Sequence, residues 1–94
     1  MDFEWDLAKS NSYQIFRNFD FAYVIPVFAD PYLLLEHDRR WDYGEERFRA
    51  LGITEKRVFV VVFTMRLKAI RIISARRANS REVKRYEKNR TSQG

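Results

Sequence analysis

The chain has 94 residues, 46% of them hydrophobic, with 3 Gly, 2 Pro and no Cys. That composition fits one small compact domain over residues 1–94 and excludes general disorder, a disulfide framework and any thiolate metal site. The formal charge of +5 is uneven: residues 57–94 carry 11 Lys/Arg against 2 Glu, net +9, whereas residues 1–56 carry 7 against 11 acids, net −4. A polarised basic half suits a polyanion or an acidic protein partner.

Phe3–Trp5 reads as a short strand. Asp6 is placed to cap a helix running to about Arg17, with Leu7, Ile15 and Phe16 among its apolar residues. Asp20 reads as a second N-cap, for a helix through about Phe28 that Pro26 kinks or shortens. Ala29-Asp30-Pro31 ends it. Tyr32–Glu36 is a predicted strand, His37–Glu45 a charged loop, Arg47–Gly52 a strand and Ile53–Lys56 a turn. The apolar run Arg57–Thr64 predicts a central strand buried on both faces. Met65–Lys68 connects it to a last strand, Ala69–Ala75, in which Ile70, Ile72 and Ser74 share one face and Arg71, Ile73 and Ala75 the other. Asn79 and Glu82 have capping-box spacing, opening a helix to about Lys88, with a frayed tail from Arg90. The expected fold is α+β: an antiparallel sheet, two N-terminal helices and one C-terminal helix, with the helices on one side. The acidic start, MDFEWD, has no following apolar segment, so neither a signal peptide nor a membrane span is expected, and the lack of Cys fits a cytoplasmic protein.

The chain resembles the BrnT-type toxins, ribonuclease halves of bacterial type II toxin–antitoxin pairs with a RelE-like fold. The matching residues are Phe3–Asp6 (FEWD) with Lys9, Phe21, Val27–Pro31 (VFADP), Gly44–Phe48 (GEERF), Gly52, Val60–Thr64 (VVVFT) and Arg71–Ala78 (RIISARRA) with Glu82 and Tyr86. They span nearly the whole chain, and RIISARRA followed by Glu and Tyr is the specific part. The resemblance implies RNA cleavage that inhibits translation and neutralisation by a cognate BrnA-like antitoxin, through which alone the pair would contact operator DNA. The chain departs from the family pattern at Tyr13, where an Asn is usual, at Phe16-Arg17-Asn18, where Lys-His-Gly is usual, and at Met65, where a Glu is frequent. A catalytically weakened toxin fold that still binds its antitoxin is therefore the alternative. A direct DNA-binding regulator is a weaker one, since no helix-turn-helix is evident.

Metal-free RNA cleavage needs a proton acceptor for the 2′-OH, charge stabilisation at phosphorus and a proton for the leaving 5′-oxygen. Arg76 and Arg77, at a strand exit before a helix start, are the candidate phosphate clamp; a salt bridge to the acidic half is the competing reading. Arg71, Glu82 and Lys9 complete the candidate catalytic set, although Glu82 also reads as a cap and Lys9 as an exposed helix residue. Arg66, Arg17, Ser74 and Tyr86 are candidate RNA contacts; Ser74 has no neighbouring base, and packing against the sheet competes for Tyr86. His37, the only His, lies in a charged loop and reads as solvated, and Trp41 and Tyr43 of that loop are candidate partner or RNA anchors. No metal-ligand spacing is present, so neither a metal nor another cofactor is expected.

Overall fold

The computed structural model describes residues 1–39 and 44–93, so Trp41 and Tyr43 lie outside the described residues. The elements are β1 (Asp2–Trp5), α1 (Leu7–Arg17), a 3-10 helix (Ala22–Ala29), β2 (Leu34–Asp38), β3 (Arg47–Thr54), β4 (Arg57–Arg66), β5 (Ala69–Arg77) and α2 (Ser80–Gln93). The five strands form one sheet in the order β1-β5-β4-β3-β2.

Three expectations change. The sheet is mixed, because β1 pairs with β5 in parallel, from Asp2 opposite Ala69 to Trp5 opposite Ile72. A parallel neighbour needs a crossover, and here the intervening chain makes it, so local pattern gives no hint of the pairing. The second N-terminal helix is a 3-10 helix containing Pro26. Its Val24 N–H reaches back three residues to the Phe21 carbonyl at 3.2 Å, and the Asp20 carboxylate accepts from the Tyr23 N–H at 3.0 Å. Third, the helices do not share a side. Tyr13 of α1 and Val24 and Val27 of the 3-10 helix pack with Ala50, Phe59, Val61, Phe63 and Ile72 on one face, whereas Tyr86 of α2 packs with Leu51 and Val60 on the other. The helix α2 spans Ser80–Gln93, with the Thr91 hydroxyl donating to the Glu87 carbonyl at 2.8 Å.

Several side chains fix these layers. The Asp6 carboxylate caps α1 by accepting from the Lys9 N–H at 3.0 Å. Ser10, buried, accepts from the Phe21 N–H at 2.9 Å and ties α1 to the next segment. Gly52 allows β3 to approach the 3-10 helix: a Cβ there would stand 2.8 Å from the Val27 carbonyl oxygen. Asp30 joins three elements. It accepts from the Tyr32 N–H at 2.8 Å, the Ile53 N–H at 2.8 Å and the Tyr86 hydroxyl at 2.6 Å. The two-residue turn between β3 and β4 puts Glu55 and Lys56 at φ +46° and +71°, left-handed values unfavourable for residues with a Cβ.

The register of β5 breaks once. Val62 faces Ser74 but Phe63 faces Ile72, leaving Ile73 as the extra residue of a bulge. The bulge reverses the alternation beyond it. Ile70, Ile72 and Ala75 therefore share the large core, and Ser74 joins the face of Arg71 and Arg76, the reverse of what strict alternation predicts.

Candidate RNA-binding cleft

The face carrying α2 is only partly covered. Near the β4–β5 hairpin it opens into a cleft of about 240 Å³ lined by Lys9, Arg47, Arg66 and Arg71, with Asp6, Glu45, Ile72 and Ile73. Strand pairing assembles it. Arg71 stands opposite Thr64 and Arg66 opposite Ala69, while α1 begins just after Trp5, beside Ile72, and so brings Asp6 and Lys9 to the cleft.

Carboxylates hold the guanidinium groups loosely. Arg66 lies 3.9 Å from Glu4 and 3.5 Å from Glu45, Arg71 lies 3.5 Å from Glu4, and Arg47 lies 3.5 Å from Glu45. The pairs of Arg66 and Arg71, partly exposed, contribute on the order of 0–1 kcal/mol each, so a phosphate offering bidentate hydrogen bonds can displace them. The Lys9 amine is held below the ordinary lysine value, first by partial loss of hydration and then by the positive charge of Arg47.

The family model describing the ribonuclease toxin BrnT of type II toxin–antitoxin systems matches residues 5–82. The chain belongs to that family. No curated protein matches it. Membership identifies it as a ribonuclease toxin of the type II toxin–antitoxin class. Among the described residues, no helix is long and apolar enough to cross a membrane, and no three His, Asp or Glu side chains gather as a metal-binding group.

Of the residues singled out in this BrnT chain from sequence, Lys9, Arg66 and Arg71 meet in the cleft. Arg47 joins them without having been singled out; its sequence signal was a charge at every second position of a strand whose other face is buried. Arg76 is directed elsewhere. Its guanidinium donates two hydrogen bonds, 2.7 and 2.8 Å, to the carboxylate of Glu82. Glu82 also accepts from the Asn79 N–H at 2.8 Å, and Asn79 accepts from the Glu82 N–H at 2.9 Å, the expected capping box. Arg76 and this N–H hold the buried Glu82 carboxyl at a pKa of about 2, the Arg76 hydrogen bonds being the larger cause.

Arg77 is six residues beyond Arg71 on β5, about 20 Å along a strand, and lines a different groove. Arg17 stacks over the Tyr13 ring at 4.3 Å and donates to the Ala75 carbonyl at 3.3 Å. Tyr86 is 1% exposed, and burial and its bond to Asp30 push its phenol above the usual range, so stacking on a base is closed to it. Ser74 is partly buried opposite Val62. His37 packs edge-on against Phe48, 4.0 Å from Glu46, rather than lying in a loop.

Proposed function

We propose that this BrnT protein, as a single domain over residues 1–94, is a cytoplasmic endoribonuclease that cleaves RNA without a metal ion in the cleft of Lys9, Arg47, Arg66 and Arg71. The observation that carries the reading is the convergence of four cations in one open cleft at the sheet. Arg66 and Arg71 bind the scissile phosphate and stabilise the charge that develops on it; an arginine stays protonated and so does not act as a base. Lys9 in its neutral form takes the 2′-OH proton as the 2′-oxygen attacks phosphorus. The P–O5′ bond breaks and the resulting ammonium returns that proton to the 5′-oxygen, leaving a 2′,3′-cyclic phosphate and a 5′-OH. The lowered Lys9 pKa supports that role. Arg76, occupied by Glu82, and Arg77, at the far end of β5, stand outside this catalytic set.

The biological consequence is inhibited translation until a BrnA-like antitoxin binds, and operator DNA is contacted only through that antitoxin. The rate of cleavage should rise with pH through a pKa below 10.5, the ordinary lysine value, and Lys9→Ala should remove that limb. A pH profile identical in Lys9→Ala and the parent would remove Lys9 from the mechanism.

One observation favours the weakened-toxin reading. Phe16 is 81% exposed on α1 and Arg17 is spent on Tyr13 and Ala75, so neither substituted family position supplies a group to the cleft. Tight antitoxin binding with no growth arrest on expression would select it.

A further inference from the structure

Between the cleft and α2 lies one row of the sheet face that neither claims. Arg49 stands opposite Val62 and Val62 opposite Ser74, so the three lie side by side across β3, β4 and β5. All three point to the α2 face, because their strand neighbours Ala50, Val61, Phe63 and Ala75 belong to the core on the other one. The rows on either side are occupied. Towards the β4–β5 hairpin, Arg47 and Arg71 line the cleft. In the other direction, Leu51 and Val60 pack with Tyr86 of α2. Val62 lies on the central strand of the sheet, yet it packs in neither core cluster and is only partly buried.

Arg49, at one end of the row, is a cation with unspent hydrogen-bonding capacity. Glu36, its partner on β2, gives both carboxylate oxygens to Arg85, at 2.9 and 3.0 Å. Arg49 Nη2 is left 3.4 Å from that carboxylate, and Arg49 Nε is buried with no hydrogen-bond partner. A buried N–H in that condition costs stability that a better-placed acceptor restores. Ser74, at the other end, supplies a hydroxyl that both donates and accepts.

We infer that this row is a nucleobase subsite, in which a guanine next to the scissile phosphate lies over Val62, accepts from the Arg49 fork at N7 and O6, and meets the Ser74 hydroxyl at its other edge. Continuity with the cleft identifies the occupant: Arg49 follows Arg47 by two residues on the same face, about 7 Å along the strand, one nucleotide step from a phosphate bound at Arg71. The chemistry of arginine selects the base. A guanidinium offers donors only, so it suits the adjacent N7 and O6 acceptors of guanine and not the acceptor-beside-donor edge of adenine. Unpaired RNA bases are free to present those edges. The inference rests on the reading of the cleft as the seat of the scissile phosphate and adds a base preference to it.

The test uses the full chain and two fluorescein-labelled 2′-O-methyl pentamers, UUGUU and UUAUU, which have no free 2′-OH and so report binding without cleavage. Affinity is read by anisotropy and location by backbone amide shifts. The parent should bind UUGUU about fivefold or more tighter than UUAUU, with shifts at Arg49, Val62 and Ser74. Arg49→Gln should abolish or reverse that preference, because a glutamine amide pairs with adenine N6 and N7. Arg49→Lys, which keeps the charge and loses the fork, should lose the guanine advantage while binding UUAUU about as well as the parent. Arg71→Ala should weaken both pentamers and leave their ratio unchanged, since a phosphate contact carries no base information. Neither arginine substitution removes the Glu36–Arg85 pair, and melts of each variant confirm folding. Equal affinities for the two pentamers in the parent, a guanine preference kept in Arg49→Gln, no binding of either pentamer, or no shift at those amides would overturn the inference. A guanine preference in binding beside intact RNA in a cleavage assay would leave the subsite standing and remove the ribonuclease reading; cleavage with no base preference would do the reverse.

Discussion

Arg76→Ala separates two uses of one side chain. The Glu82 side chain is only 7% exposed and Arg76 46% exposed, joined by a two-bond fork of 2.7 and 2.8 Å. Holding the carboxyl at about 2 instead of 4.5 corresponds to a ceiling of roughly 3 kcal/mol. Solvent around the exposed guanidinium reduces this to about 2 kcal/mol. Removing Arg76 leaves a buried carboxylate with only the Asn79 N–H, so Arg76→Ala should lose about 2 kcal/mol, a melting-temperature drop of roughly 8–16 °C for a domain of this size. Arg76→Ala/Glu82→Gln should recover part of that loss, a coupling of about 1.5 kcal/mol in a double-mutant cycle. The pH dependence follows from the depressed folded pKa: the contribution is complete above about pH 5 and fades as pH falls from 4.5 towards 2. The stability gap between parent and Glu82→Gln should therefore close over that window. Denaturant melts of the four proteins from pH 7 to pH 2 measure all of this. An Arg76→Ala protein that melts within about 1 °C of the parent yet loses RNA cleavage would return Arg76 to the phosphate.

Two further perturbations probe the frame. Gly52→Ala forces a methyl to 2.8 Å from the Val27 carbonyl oxygen and 2.9 Å from its Cγ1, and should cost about 1–3 kcal/mol in denaturant unfolding; an unchanged midpoint would mean β3 and the 3-10 helix separate readily. Lys56→Gly relieves a residue held at φ +71° and should raise stability by about 1 kcal/mol, read as a higher melting temperature.

What the sequence disclosed follows the range of each interaction. The run Arg57–Thr64 announces a buried strand because its neighbours lie on both faces, and Asn79 with Glu82 announces a cap because the motif closes within four residues. The parallel β1–β5 pair spans most of the chain and leaves no local trace. Strict alternation misplaces Ser74 because one bulge residue, Ile73, shifts the phase. Arg76 and Arg77 read as candidate phosphate ligands with a salt bridge as the competing reading, and the bidentate partner of Arg76 stands six residues on, in the cap itself. Arg47 was hidden for the opposite reason: its place in the cleft depends on β3, β4 and β5 lying side by side.

Cleavage of a labelled RNA in EDTA by the purified full chain, beside Arg71→Ala and Arg66→Ala proteins shown to be folded by their melts, tests the central claim most directly. The products should end in a 2′,3′-cyclic phosphate, with kcat/KM reduced roughly 100-fold or more in each variant. Intact RNA after prolonged incubation with the folded parent, or variants as active as the parent, would contradict it.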